Sequence, residues 1–164
     1  MREEELRGAM ARHGDAVFRL ALRRLGSRAD AEDIYQETFL ALCRQRNAPS
    51  WDDGHLKAWL LRVAMNKCSD IIRAREARPI VSLDEVPEPY VTDGGDGNHP
   101  SYERIWLLAG QLPDPCRTAF HLFYGEGLSV GEIAEVTQTR EATVRVRLLR
   151  ARGHMRRMMG GADD

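Results

Sequence analysis

The last third of the chain predicts two helices separated by a short turn. Ser129 and Glu132 have the spacing of a capping box, in which each side chain satisfies a backbone N–H group at a helix start. After the polar segment 137–139, apolar residues recur at steps of four, three and four, which places them on one face of a second helix. They are Val144, Leu148, Ala151 and Met155. No other pattern in the chain constrains its fold as tightly.

The other faces of this second helix are rich in arginine. Between Thr137 and Met159 the sequence has seven arginines and one acid, Glu141, a local charge of +6 in a chain of formal net charge −1. A solvated helix face normally mixes both signs, whereas this one repels itself unless a polyanion is present. Arginine can bond to guanine or to phosphate. A helix-turn-helix with this charge therefore favours binding to duplex DNA over a merely solvated surface.

The first half of the chain also predicts helices. A long apolar pattern ends at Gly26, and we expect Asp30 to open a second helix, with Asp33 three residues later. A third apolar stripe runs from Leu56 to Arg73, and its periodicity alone predicts one uninterrupted helix. Together these segments predict a helical domain over residues 1–78.

The middle of the chain has a different composition. From Pro79 to Ser101 there are five acids, four prolines and no Lys or Arg, which is typical of a flexible linker. Ser101 is then a candidate N-cap for a helix reaching residue 112, and Asp114 is a candidate N-cap for the next, with Pro115 at N1. The predicted fold is all-α, with helical domains at 1–78 and 101–164 joined by the acidic linker 79–100.

Other classes of protein are disfavoured by what the sequence lacks. No apolar run is long enough to span a membrane and the acidic start does not resemble a signal peptide, so we expect a cytoplasmic protein without membrane contact. Cys43, Cys68 and Cys116 lack metal-binding spacing and are expected in the core. An enzyme would need a nucleophile with its base, a metal site or a Gly-rich phosphate loop. We therefore assign no catalytic residue, metal or cofactor.

Five segments of the chain together carry a family resemblance. They are DAEDIYQETF at 30–39, LKAWLLRVAMN at 56–66, LPDPCRTAF at 112–120, GLSVGEIA at 127–134 and ATVRVRLLRAR at 142–152. In this combination they resemble the extracytoplasmic-function sigma factors of bacteria, and the resemblance covers nearly the whole chain. It implies a sigma-2-like helical bundle and a sigma-4-like helix-turn-helix domain that direct core RNA polymerase to promoter DNA, with no catalytic activity in the chain itself. It also implies control by an anti-sigma factor.

The resemblance assigns roles to particular residues. The second helix would bind the polymerase clamp through its polar residues Asp30, Asp33, Gln36 and Glu37. Asn66, which the family places in a turn, would capture a flipped base of the −10 element. Phosphates around that base would be contacted by Arg62, Lys67, Arg73, Arg75 and Arg78. The −35 element would be contacted by Arg140, Thr143, Arg145, Arg147, Leu149, Arg150 and Arg152.

Helical spacing divides the −35 set by role. It favours base contacts by Arg145, Arg150 and the apolar Leu149, and phosphate contacts by Arg140, Arg147 and Arg152. The turn departs from the family, because Gln138 stands where glycine is usual and Arg140 stands where the family has a capping residue such as Ser. The hydroxyl of Thr139 is the alternative N-cap.

Several interpretations compete at the level of the sequence. A free-standing helix-turn-helix regulator would bind duplex DNA tightly as a dimer, without polymerase. The acidic linker could enter the polymerase cleft or serve as a plain tether, and the sequence favours neither. Trp59 is better explained as a core residue than as part of an aromatic cluster that melts DNA. For each charged residue named above, the competing interpretation is a solvated surface.

Overall fold

The computed structural model describes residues 1–77 and 100–160, apart from the side chains of Pro100 and Ser101. Within these ranges the chain is helical and contains no strand, which agrees with the all-α prediction. The chain divides into two compact units, Met1–Glu88 and Pro89–Asp164. The linker at 79–100 lies almost wholly outside the described residues, as does Arg78, so the linker and the domain boundaries stay predictions.

Over residues 1–77, the first unit is a three-helix bundle. Its helices are α1 (Glu3–Leu25), α2 (Arg28–Cys43) and α3 (Asp53–Glu76), with a short 3-10 helix at Ala48–Ser50. Helix α1 ends at Gly26 as predicted, because this glycine adopts the left-handed conformation with φ 68° and its N–H bonds to the Leu22 carbonyl. The core contains fully buried side chains from all three helices, among them Leu20, Ile34, Leu42, Leu60 and Leu61.

Helices α1 and α2 approach closely at a glycine. A Cβ atom added to Gly14 would lie 3.0 Å from the ring of Tyr35. Helix α1 continues through Gly14 without interruption. Glycine is therefore used here for helix–helix contact.

Trp59, expected in the core, is half-buried, with its ring centre 5.4 Å from that of Trp51.

Two expectations about helix boundaries in this unit are wrong. Helix α2 begins at Arg28, and its N-cap is Ser27, whose hydroxyl accepts a hydrogen bond from the Asp30 backbone N–H at 3.3 Å. The turn that the family resemblance placed at Asn66 is also absent, because α3 is continuous from Asp53 to Glu76. Buried residues on both sides of Asn66 keep one apolar stripe against the core, and no glycine or proline interrupts it.

In the described part of the second unit, residues 100–160, there are four helices and a π-helical turn. They are α4 (Pro100–Ala109), α5 (Cys116–Phe120), the π-helical turn (His121–Gly125), α6 (Val130–Thr137) and α7 (Glu141–Met158). The predicted stripe of α7 is confirmed, since its buried residues are Val144, Leu148, Ala151 and Met155. Ala151 and Met155 pack in one core cluster with Trp106, Leu112 and Phe120.

The predicted starts of α4 and α5 are wrong. Helix α4 already includes Pro100, so Ser101 lies in its first turn and is not the N-cap. The N-cap position of α5 is Pro115, not Asp114. The Asp114 carboxylate instead accepts a hydrogen bond of 2.7 Å from the Thr118 hydroxyl, one turn into the helix. Asp114 is therefore bonded to a side chain of α5, although it is not the N-cap residue.

The cysteines are only partly where the sequence placed them. Cys68 and Cys116 are buried, but Cys43 is exposed, because it is the last residue of α2 and lies at the edge of the bundle. Among residues 1–77 and 100–160, no group of three His, Cys, Asp or Glu side chains is arranged to hold a metal ion. Over the same residues, no helix is both long and apolar enough to cross a membrane.

Candidate nucleic-acid interface

Helix α6 begins with the capping box that the sequence predicted. The Glu132 backbone N–H donates to the Ser129 hydroxyl at 3.1 Å, and the Ser129 backbone N–H donates to the Glu132 carboxylate at 3.0 Å. Two N–H groups that the helix itself leaves unpaired are thereby satisfied. Ile133, Ala134 and Val136 are buried, so the short helix is fixed both by its cap and by packing.

The turn between α6 and α7 contains a residue in the left-handed conformation that is not a glycine. Gln138 ends α6 with φ 55° and ψ 45°, a conformation that costs a residue with a Cβ atom about 1 kcal/mol. Arg140 occupies the N-cap of α7, but its side chain makes no capping bond. Thr139, the alternative cap, instead lies with its hydroxyl 2.9 Å from that of Thr137. The turn therefore depends on backbone geometry more than on side-chain capping.

The exposed surface of α7 carries the residues to which the sequence assigned base contacts. Arg145 and Arg150 are exposed, and so is Leu149, at 63% of its maximal area. An apolar side chain this exposed on a basic helix is suited to contact with a thymine methyl group. Thr143, Arg147 and Arg152 are half-buried and lie nearer the core-facing stripe. Arg140, which was assigned to phosphate, is exposed as well, so exposure alone does not separate the two predicted roles, and the division stays a prediction.

Two of the α7 arginines that were assigned to the −35 element already have partners. Arg145 lies 3.4 Å from the carboxylate of Glu141, one turn earlier on the same helix, and both side chains are exposed. The Glu141 carboxylate packs beside Gly131, where an added Cβ would meet it at 2.9 Å. Arg152 donates from Nε to the Tyr124 hydroxyl at 2.7 Å. An exposed ion pair such as Arg145–Glu141 is worth well under 1 kcal/mol, so DNA can replace it.

In the first unit, the residues assigned to polymerase are mostly on the surface of α2. Asp33, Gln36 and Glu37 are exposed, whereas Asp30 is half-buried and its carboxylate is bound by Arg75. Glu37 lies 3.6 Å from Lys67 of α3. The structure thus brings two acids of the predicted polymerase surface next to two cations of the predicted −10 surface. Sequence reasoning missed this cross-pairing, because periodicity does not reveal which faces of two helices meet.

The residues assigned to the −10 element lie along α3. Asn66 and Arg73 are exposed, and Arg62 and Lys67 are half-buried. Arg73 pairs with Asp70, three residues earlier on the same helix. Asn66 is therefore accessible, but from a regular helix and not from a turn. Whatever it contacts must reach the helix surface, or α3 must open locally.

Tyr124 is a residue of this region that sequence reasoning did not select. It lies in the π-helical turn, is 48% exposed, and accepts the hydrogen bond from Arg152 across 28 positions of sequence. The pair Phe123-Tyr124 before two glycines is the only local signal, and it predicts a helix end, not a contact with α7.

Two family models match separate parts of the chain. The model for Sigma-70 region 2 matches residues 9–78, and the model for Sigma-70 region 4 matches residues 102–155. The first match contains the whole of α2 and α3. The second contains α6 and most of α7, which form the helix-turn-helix.

Curated relatives and a solved structure agree with these matches. The ECF RNA polymerase sigma factor SigE of Mycolicibacterium smegmatis is 32% identical over 154 residues, which cover 88% of this chain and 57% of that protein. The corresponding factor SigW of Bacillus subtilis is 32% identical over 162 residues, covering 88% and 83%. The chain thus spans little more than half of the SigE relative and most of SigW.

The sigma factor RpoE of Bartonella quintana, solved in complex with the anti-sigma factor NepR, has the same fold. Its TM-score is 0.75 at 18% identity, with coverage of 98% of this chain and 99% of that one. This likeness concerns the fold alone. From the two family models and the 32% identity to SigW over most of both chains, we conclude that the chain belongs to the family of ECF RNA polymerase sigma factors.

Proposed function

We propose that this chain binds core RNA polymerase and directs it to specific promoters, acting in the cytoplasm and without catalytic activity of its own. The observation that carries the proposal is the exposed arginine face of α7, which lies on a capped helix-turn-helix within a region-4 match. A second helix of this size fits the major groove of B-form DNA. The family membership supports polymerase as the partner that delivers it.

In the proposed −35 complex, α7 reads the major groove. Arg145 and Arg150 contact base edges, Leu149 contacts a thymine methyl group, and the remaining members of the set contact phosphates or their surroundings. Those are Arg140, Thr143, Arg147 and Arg152. The left-handed turn at Gln138 supports this arrangement, since it keeps the two helices in a helix-turn-helix geometry without glycine.

In the proposed −10 complex, the surface of α3 contacts the separated strands. Asn66 offers both a donor and an acceptor to a base edge, and its exposure on α3 leaves it available. Arg62, Lys67 and Arg73 contact neighbouring phosphates. Because the structure shows a continuous helix at Asn66, we infer that base capture involves a local change in α3 or a base that reaches the helix surface.

The proposed polymerase contact is the acidic surface of α2. Asp33, Gln36 and Glu37 are exposed on one side of that helix, with Asp30 at its edge. Carboxylates placed in this way are complementary in charge to a basic partner surface. We also propose control by an anti-sigma factor, which the anti-sigma complex of the Bartonella relative supports.

The test is reconstitution with core RNA polymerase. We expect the chain to co-purify with core enzyme and to confer run-off transcription from a subset of promoters in a library. A matched Asp33→Arg, Glu37→Arg variant should lose both properties while keeping its helical content. If the chain alone forms a dimer that binds duplex DNA tightly and ignores core enzyme, the proposal is wrong and a free-standing regulator is the better description.

A further inference from the structure

The guanidinium of Arg152 is held by two aromatic residues of the π-helical turn. Its Cζ atom lies 5.8 Å from the ring centre of Phe123 and 5.7 Å from that of Tyr124. Its Nε donates a hydrogen bond of 2.7 Å to the Tyr124 hydroxyl. The ring quadrupoles attract the cation, and the hydroxyl fixes one edge of the planar group. Arg152 is therefore more restricted than an arginine on an open helix surface.

The contact leaves most of the guanidinium donors available. Arginine has five N–H donors in a planar fork, and Tyr124 uses the one at Nε. Within residues 1–77 and 100–160, the Nη1 and Nη2 atoms of Arg152 make no hydrogen bond. These two atoms form the end of the fork that binds a phosphate through two parallel bonds. The tyrosine thus orders the side chain without occupying that end.

Tyr124 is itself presented by a well-anchored turn. The side chains of His121 and Glu126 flank the turn, are 2% and 3% exposed, and approach to 3.1 Å between Nε2 and Oε2. The Glu126 backbone N–H also bonds to the His121 carbonyl at 3.1 Å. The Tyr124 ring lies 4.7 Å from Phe120, a core residue. Buried contacts on both sides of the turn therefore hold the tyrosine in place beside α7.

We propose that Tyr124, supported by Phe123, is a positioning residue for DNA binding that pre-orders Arg152 to bind one phosphate of the −35 region. This inference rests on the proposed function, in which α7 lies in the major groove. A side chain that is ordered before binding loses less conformational entropy when it meets the phosphate, which raises affinity without a new contact. The alternative role for the same contact is purely structural, in which it stabilises the packing of α7 against the π-helical turn.

The experiment measures the Kd of the full chain, assembled with core polymerase, for a promoter duplex at several salt concentrations. The variants are Tyr124→Phe, Arg152→Ala and the double variant, with Tyr102→Phe as the control that removes an exposed hydroxyl elsewhere in the unit. Tyr124→Phe keeps the ring and removes only the hydrogen-bond acceptor. Thermal unfolding of each variant reports its effect on stability separately.

We expect Tyr124→Phe to raise the Kd about three- to tenfold, which corresponds to the cost of ordering one long side chain on binding. Arg152→Ala should raise the Kd at least as much and lower the salt slope by about one. The double variant should match Arg152→Ala, because the tyrosine acts only through the arginine. Tyr102→Phe should leave the Kd unchanged.

Three results would overturn the inference. An unchanged Kd for Tyr124→Phe would mean that Arg152 needs no positioning. An equal loss from Tyr124→Phe in the Arg152→Ala background would mean that the tyrosine acts by another route. A salt slope unchanged by Arg152→Ala, together with a lower melting temperature, would show that the contact only stabilises the packing of α7 against the π-helical turn. Failure of the wild-type complex to prefer promoter over unrelated DNA would instead contradict the proposed function itself.

Discussion

The two units treat their charged residues in opposite ways. In the first unit, cations on one helix meet acids on another, since Lys67 of α3 lies 3.6 Å from Glu37 of α2, and Arg75 binds Asp30. In the second unit, α7 carries a single acid, Glu141, at its first position. In the first unit these surface charges are neutralised by partners within the fold, whereas most of the positive charge on α7 is not.

This difference indicates how each unit finds its partner. Exposed ion pairs contribute little to the stability of a fold. The main effect of those in the first unit is to reduce its electrostatic field at a distance. Recognition there depends on short-range contacts with individual side chains. An unbalanced basic helix attracts DNA from further away and releases counterions when it binds, so its affinity falls as salt rises. The predictions below test this contrast, from the largest expected effect to the smallest.

Charge reversal on α2 should have the largest effect. In Asp33→Arg with Glu37→Arg, we expect loss of polymerase binding below detection, because two cations would face the basic surface that the acids are proposed to meet. A pull-down with core enzyme measures this. Lys57→Glu, a reversal on the half-buried N-terminal part of α3, is the control. Wild-type recovery of the double variant would show that α2 is not the docking helix.

Removing a base-reading arginine should cost about 1–3 kcal/mol of DNA-binding free energy and relax the sequence preference at one position. We expect this for Arg145→Ala and Arg150→Ala, because both side chains are exposed on α7. Arg147→Ala should instead weaken all sequences alike and lower the salt slope. Selection from a randomised −35 library, repeated at two salt concentrations, distinguishes the two classes. An unchanged preference for all three variants would make α7 a non-specific clamp.

Asn66→Ala separates stability from function in the first unit. Asn66 is exposed in the middle of α3, and alanine is the better helix former, so we expect unfolding free energy to stay equal or rise by about 0.5 kcal/mol. Promoter opening should slow, because the amide is proposed to hold a flipped base. Permanganate reactivity of −10 thymines reports the opening. Normal opening together with reduced stability would assign Asn66 to the fold.

Neutralising one cation in each unit should change stability in opposite directions. Lys67→Gln removes a partner of Glu37 and should destabilise the first unit by a few tenths of a kcal/mol. Arg156→Gln removes one of several like charges on α7 and should stabilise the second unit by a similar amount. Amide hydrogen exchange reads each unit separately. Effects of the same sign would remove the contrast between the units.

The smallest expected effect concerns pH. Hydrogen bonds from His13 and from Arg12 hold the pKa of Asp53 below its usual value of 3.8. A carboxyl with a lowered pKa stabilises the fold above that usual value and loses this contribution as pH falls through the folded pKa. Hydrogen exchange in α1 and α3 should therefore show a small loss of protection in acid. Asp53→Asn should remove that pH dependence, and its persistence would assign the effect to another group.

The sequence predicted the fold best where a repeating pattern or a strong local signal at a helix end decides it. The stripe of α7, the capping box of Ser129 and Glu132, and the stop at Gly26 are all confirmed. The stripe of α3 was also a better guide than the family resemblance, which placed a turn at Asn66. Repeating apolar positions report on burial directly, and burial determines whether a helix continues.

Sequence reasoning failed where two distant side chains or a competing cap decide the outcome. Ser27 displaced Asp30 as the N-cap of α2, and both can accept the same kind of backbone hydrogen bond. The contact between Tyr124 and Arg152 depends on the path of the π-helical turn, which has no periodic signature. The predicted site residues lie on accessible helix faces, but their roles stay predictions.

Gly14 shows how one missing side chain fixes the contact between two helices. The absent Cβ leaves room for the Tyr35 ring, which would otherwise be met at 3.0 Å. A methyl group added at this position would require the ring of Tyr35 to give way by a few tenths of an ångström. The absence of a side chain at Gly14 is therefore the reason that the Tyr35 ring of α2 can lie directly against α1.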